Sequence, residues 1–299
     1  MNDSAETERI AGSFHSDGVF QDNPLFCPCN YSGPAINQWL VKILGAQKKK
    51  ASLKWPNDHK FAVCLSHDVD SLAINYVIGH IRRLQTKWPI FSILPHEGQA
   101  LIEKFLLRLQ YDLSPLDIDL LGPWLDAEEQ YGYRSTFFFF PDQPNRYHNR
   151  DGRIYRHKDR VRFLGTVITV AELMQELQKR GHEIGLHGTY HSYDDAEELK
   201  RQKEQIELSL GKEIFSVRQH HVHFHLVRTP KAQSQAGFQY DSTMGSNYLV
   251  GFPYGIAWPF YMHDFENDVS LPILQIPLHI QDGALLRADN LGLPPSSAF

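Results

Sequence analysis

The chain has 299 residues, 42% hydrophobic and 12% aromatic, enough to bury a large core as one big domain or two smaller ones. A net charge of -5 excludes a general electrostatic pull toward nucleic acid, and no run of about 18 apolar residues offers a transmembrane helix. Three Cys cannot build a disulfide framework, and the polar start "MNDSAETERI" lacks the basic-then-apolar order of a signal peptide, so a soluble cytoplasmic protein is expected.

Residues 1–54 read as an N-terminal arm and linker. They carry Pro24, Pro28, Gly33 and Pro34, then one helix-like run, "AINQWLVKILG", and a basic stretch whose triple Lys reads as a solvated face. Cys27 and Cys29 in "CPC" read as ordinary free thiols. From residue 55 to 299 strands and helices alternate. Short apolar runs "FAVCLS" (61–66), "STFFFF" (135–140), "HEIGLH" (182–187), "IFSVR" (214–218) and "LQIPLHI" (274–280) suit strands buried on both faces. Between them, "TVAELMQELQKR" opens with Thr169 and Glu172 at capping-box spacing, and "DDAEELKRQKEQIELSLG" runs from Asp194 or Asp195 to Gly211. "TPKAQSQAG" has Thr229 as its cap and Pro230 at its first position. This alternation predicts an α/β fold with a parallel sheet or barrel. The segment from Arg146 to Arg162 holds seven Arg or Lys against two Asp. It reads either as a solvated loop or as a lid that meets an anionic substrate.

The chemistry gathers at three strand ends. Residues i and i+2 of a strand point the same way, so Asp68 and Asp70 in "SHDVDSL" project together. Two such carboxylates repel unless a cation or proton separates them. His187 and His191 in "GLHGTYHSYDD" follow another strand at i, i+4 spacing, which on a helical turn puts two imidazoles on one face. Two imidazoles and one carboxylate make a three-ligand metal site, and the other carboxylate is left to act as a base. Arg218 ends a third strand in "SVRQHHVHFH", where it would keep Asp68 ionised and oriented. If that strand continues, His220 shares its face and His221, His223 and His225 alternate on the other.

"SHDVD", "HGTYH" and "RQHH" resemble the three successive motifs of the polysaccharide deacetylase (NodB-homology) family, and "YRSTFFFF", "GHEIGLHG", "GFQYDSTMG" and "IPLHIQDGAL" resemble its flanking segments. The likeness runs over about residues 55 to 285 and is nearest to the "HDVD" branch associated with bacterial surface polysaccharide biosynthesis. It implies a distorted (β/α) barrel and a divalent ion, often zinc, that serves the removal of N-acetyl groups from amino sugars. The expected substrate is an acylated amino sugar, as a glycan or nucleotide sugar. Carried onto this chain, Asp68 is the base, Asp70, His187 and His191 are the metal ligands, and Arg218 pairs with Asp68. The backbone N–H of His221 serves the oxyanion. His279, with Asp282 as its partner, protonates the leaving amine. Val69 separates the two acids where the commoner motif has them adjacent, "RQHH" lacks the usual Pro, and Pro253 stands where the nearest branch has Arg. A non-catalytic glycan-binding protein on the same fold and a non-haem iron oxygenase are the rival readings.

Overall fold

The computed structural model describes residues 55, 57, 59–70, 72, 121–142, 151, 155–252, 254–287 and 291–294, with the backbone of 116–117, 147–148 and 152–153. The expected arm, its helix, Cys27 and Cys29, and Pro253 lie outside the described residues.

The frame is a seven-stranded sheet. Its strands are β1 (Leu65–Val69), β3 (Ser135–Phe139), β8 (Glu183–Gly188), β9 (Ser216–Gln219), β10 (Tyr240–Asp241), β11 (Phe260–Asp264) and β12 (Val269–Gln275), in the order β1-β3-β8-β9-β10-β12-β11. Every pairing is parallel except that of β11 with β12. A parallel sheet needs helices as crossovers, and α2 (Val170–Lys179), α3 (Ala196–Leu210) and α4 (Arg228–Gln235) supply them. Before them comes α1 (Leu121–Gln130), and α5 (Asp282–Leu286) closes the described chain. Short pairs of β2 (Leu116–Asp117) with β6 (Arg160–Phe163), β6 with β7 (Thr166–Thr169), and β4 (Tyr147–His148) with β5 (Gly152–Arg153) lie outside the main sheet.

The helices form where the sequence signals them. Thr169 accepts from the Glu172 N–H while Glu172 reaches back to the Thr169 N–H, so the capping box of α2 is complete. Asp195 caps α3, and Gly211 ends it at φ +78°, a left-handed conformation that costs glycine little. The start of α4 differs by two residues. Arg228 opens it, and the Thr229 hydroxyl accepts from His225 N–H, serving the turn before the helix. α2 buries Val170, Leu173, Met174 and Leu177, the i, i+3, i+4, i+7 stripe of a helix lying on a sheet.

β1 sits four residues later than expected. Phe61 and Val63 are exposed, and the strand proper begins at Leu65, which carries Asp68 inside the ladder opposite Phe138. β12 likewise lies earlier than the apolar run that suggested it. The basic segment is split. Arg160 and Arg162 face solvent from β6 while Val161 and Phe163 face the core, and Arg156 pairs with Asp159 at 3.3 Å.

Curvature places the site. β1 and β9 are three neighbours apart in sheet order, about 14 Å if the sheet were flat. Arg218 of β9 nevertheless reaches Asp68 and Ser66 of β1 at 2.8 and 2.7 Å. The strands must therefore curl so that side chains of one face converge, as the wall of a barrel does. Among the described residues the two edge strands, β1 and β11, do not pair, so the wall is open.

Candidate active site

Arg218 is the centre of the arrangement. It is buried, and each of its three nitrogens has a partner. Nη1 donates to Asp68 Oδ1 at 2.8 Å, Nη2 to Ser66 Oγ and Ser242 Oγ at 2.7 and 2.8 Å, and Nε to the Ser242 carbonyl at 3.0 Å. Its guanidinium also lies 4.5 Å from the centre of the Phe138 ring. A planar donor fork fixed on so many sides can hold one carboxylate in one orientation. Asp68 is that carboxylate, and its side chain is 21% exposed, open enough to meet a substrate or water.

Asp70 points to different partners. Its Oδ1 lies 3.1 Å from His187 Nε2 and 3.5 Å from His220 Nδ1, and those two nitrogens are 2.9 Å apart. His187 and His220 are buried, whereas the Asp70 side chain is 58% exposed. His187 Nδ1 faces the Arg218 carbonyl at 3.0 Å, a group that only accepts. Nδ1 must carry the proton, so the lone pair of neutral His187 sits on Nε2 and aims at Asp70 and His220. Burial works against charge on His187, but Asp68 and Asp70 outweigh it and raise its pKa. Burial also opposes charge on Asp70, yet hydrogen bonds to His187 and His220 hold its carboxyl well below the usual range.

These donors fit a divalent cation. Ligand atoms about 2.0–2.1 Å from a tetrahedral ion stand roughly 3.3 Å from one another. The separations here, 2.9, 3.1 and 3.5 Å, bracket that value. Asp70, His187 and His220 are the group of three that could hold an ion among the described residues.

The sequence-predicted residues divide as follows. Asp68 meets Arg218, and Asp70 meets His187, as their strand positions implied. His191 does not join them. Past β8 the chain makes a non-helical turn, tied by Gln202 to the N–H and hydroxyl of Thr189 and by Ser192 Oγ to the Thr189 carbonyl. The shared helical face that the spacing suggested is therefore missing, and His191 is exposed, edge-on to Tyr190 with ring centres 5.0 Å apart. The alternating strip of His221, His223 and His225 does not form either. β9 stops at Gln219, and His221 and Val222 take φ of +58° and +51° in a tight turn, which breaks the period of two. His221 stands at the crown of that turn, its ring 4.0 Å from that of His220. His279 faces the carbonyl of Ile256 at 3.2 Å, not Asp282, which is exposed and accepts from the Gly283 N–H.

Three contributors went unnoticed in the sequence. Ser66 and Ser242 hold Arg218. Ser66 lies inside the quoted "SHDVD", but nothing marked its hydroxyl as a ligand for Arg218. Tyr155, fully buried, donates to the Val69 carbonyl at 3.0 Å and accepts from the Phe140 N–H at 3.0 Å. It ties the peptide between the two acids to the end of β3, and in the sequence it is hidden among the basic residues of its segment.

Residues 110–245 match the family model described as polysaccharide deacetylase. That stretch, a little under half of the chain, is what ties it by similarity to the polysaccharide deacetylase (NodB-homology) family. No curated protein matches it. Among solved structures, a Mycobacterium smegmatis protein provisionally described as a polysaccharide deacetylase is 20% identical at a TM-score of 0.41, over 76% of this chain and 62% of that one. This chain thus spans less than two thirds of that structure's length. The Puue allantoinase is 17% identical over 40% of this chain and 38% of its own, at a TM-score of 0.28. The Xyl-CE4 domain of a multidomain xylanase from the hindgut metagenome of Trinervitermes trinervoides is 14% identical over 53% and 67%, at 0.26.

Proposed function

We propose that the protein is a metal-dependent hydrolase that removes an N-acyl group, chiefly N-acetyl, from an amino sugar of a surface polysaccharide or its precursor. One observation carries the reading above all. An oriented, accessible carboxylate, Asp68, stands two residues from a second carboxylate that shares a pocket with two imidazoles. Asp70 and His187 would hold the ion together with a second imidazole, either His191, as the family resemblance has it, or His220, as position has it. Bound there, a divalent ion polarises an amide carbonyl and acidifies water.

The rest falls to the chain's own groups. Asp68, fixed by Arg218, takes the proton of the attacking water. The amide carbonyl gains negative charge as water adds, and the backbone N–H of His221 donates to it. His279 returns a proton to the departing nitrogen. Its Nε2 donates to the Ile256 carbonyl, so Nδ1 is the atom that trades the proton.

The test is acetate release from a panel of N-acetylated amino sugars, as monosaccharides, nucleotide sugars and oligomers. The protein is assayed as purified, after chelation, and after readdition of zinc. Release that is lost on chelation and restored by the ion supports the reading. Undiminished release by fully stripped protein, or a metal-loaded protein inert on the whole panel, overturns it.

A further inference from the structure

We propose that His220, not His191, supplies the second imidazole of the metal centre, so that the ion is held by one residue from the end of each of β1, β8 and β9. The proposal rests on the metal-dependent reading above and names a different ligand set within it.

The argument begins with direction. An imidazole is a ligand only if a ring nitrogen faces the site. His220 Nδ1 lies 2.9 Å from His187 Nε2 and 3.5 Å from Asp70 Oδ1, spacings that one ion can span. The two rings stand at 86° with centres 5.0 Å apart, and both pack on Phe140, at 4.7 and 5.0 Å. The apolar ring holds them in place and keeps water from their flanks. His191 follows a turn pinned from within the fold through Gln202, and it is exposed.

The backbone behind His220 points the same way. His221 and Val222 both adopt positive φ, at 58° and 51°. For the β-branched Val222 this is a true outlier, and with His221 it makes two strained residues in succession. Such strain persists where neighbouring structure fixes it. Here the Gln219 N–H is held by Thr243 Oγ1 at 3.0 Å just before the turn, and Asn247 Nδ2 donates to the His221 carbonyl at 3.1 Å within it. The effect of the turn is to end β9 abruptly and leave the His220 ring lying over His187. On the neighbouring strand β8, a Cβ on Gly188 would collide with the amide end of the buried Gln219 side chain, so glycine leaves room for that amide behind the pair.

The experiment uses the full chain in four forms: wild type, His191→Ala, His220→Ala and His220→Gln. Each is stripped, reloaded with zinc or Co(II), and measured for metal per chain, metal affinity by competition with a chelator, and the visible Co(II) spectrum. Circular dichroism checks folding. Loss of an outer hydrogen-bond partner weakens a metal by roughly 10–100-fold. A direct ligand must cost more. His191→Ala is expected to keep its metal and an unchanged Co(II) spectrum, and the His220 variants to lose more than about 100-fold in affinity. Metal loss or an altered spectrum in His191→Ala overturns the proposal, and so does affinity within that 100-fold in folded His220 variants. If neither His220 variant folds, His191→Ala decides alone by the same two readouts. A wild type that takes up no ion overturns the metal-dependent reading itself, an outcome separate from any difference among the variants.

Discussion

Asp70 and Asp241 both stand at the C-terminal ends of parallel strands in one sheet, yet their surroundings drive them apart. Asp70 faces two imidazoles with its outer edge in solvent, and its carboxyl is held well below the usual range. Asp241 is fully enclosed. Burial pushes it up from 3.8 to about 6, against hydrogen bonds from Thr243 and Gln233 and the charge of Arg218. Among the described residues its Oδ2 has no partner, nor do the side-chain carbonyls of Gln233 and Gln275. The difference teaches that residue type and strand position do not make a working carboxylate. Cationic or ligand neighbours at an open mouth do, while enclosure in the wall turns the same side chain into a brace that keeps its proton up to about pH 6.

The largest expected effect is at the mouth. Asp68→Asn keeps the shape and the Arg218 contact but cannot accept a proton. Its kcat should fall by about 10²–10⁴-fold while bound metal per chain stays at the wild-type level. Asp70→Asn should do the reverse, weakening metal affinity first. Steady-state kinetics paired with metal analysis separates the two, and exchanged phenotypes would break the division of roles between these acids.

In the wall the expected effect is on stability. The folded Asp241 holds a proton that the unfolded chain releases near pH 4. Between about pH 4 and 6 the native state therefore binds more protons than the unfolded one, and stability falls as pH rises through that window. A shift of about two units corresponds to at most about 3 kcal/mol, lost in full above pH 6. Asp241→Asn cannot ionise and should remove this slope. Urea midpoints of the two proteins should diverge in the variant's favour from pH 4 to 6 and then run parallel. A difference independent of pH would mean that Asp241 stays charged in the fold, like Asp70.

How far these two regions were legible in the sequence follows from the physics that made each. Helix ends were readable because caps are local, and α2 and α3 begin and end where Thr169, Asp195 and Gly211 place them. The acid pair and its Arg were readable because strand alternation and the end of a parallel strand are simple geometry. His220 was placed on the correct face, but what it meets depends on how far the sheet curls and on a turn with two left-handed residues that no propensity favours. The helical face expected for His187 and His191 did not form, because the chain past β8 is a turn and not a helix. Asp241 and Tyr155 looked like any residues of their type, because their roles come from burial by segments distant in the chain.

The smallest effect expected is the one that asks whether the wall is only a brace. Thr243 Oγ1 donates to Asp241 Oδ1 and accepts from the Gln219 N–H, so the hydroxyl joins the buried carboxyl to the peptide between Arg218 and His220. Thr243→Val keeps the shape and removes that link. The Gln219 N–H is then buried without a partner, at about 1–3 kcal/mol. Asp241, deprived of one donor to its charged form, should titrate still higher, so the pH at which stability stops falling moves up. If the wall also positions the mouth, the freed strand end lets Arg218 and His220 drift, and kcat should drop by up to about tenfold with little change in KM. Thr243→Ser, which restores a hydroxyl, should recover both the activity and the pH midpoint. A Val variant that loses stability but keeps kcat would confine the Asp241 region to structure and leave the alignment of Asp68 to Ser66, Ser242 and Phe138.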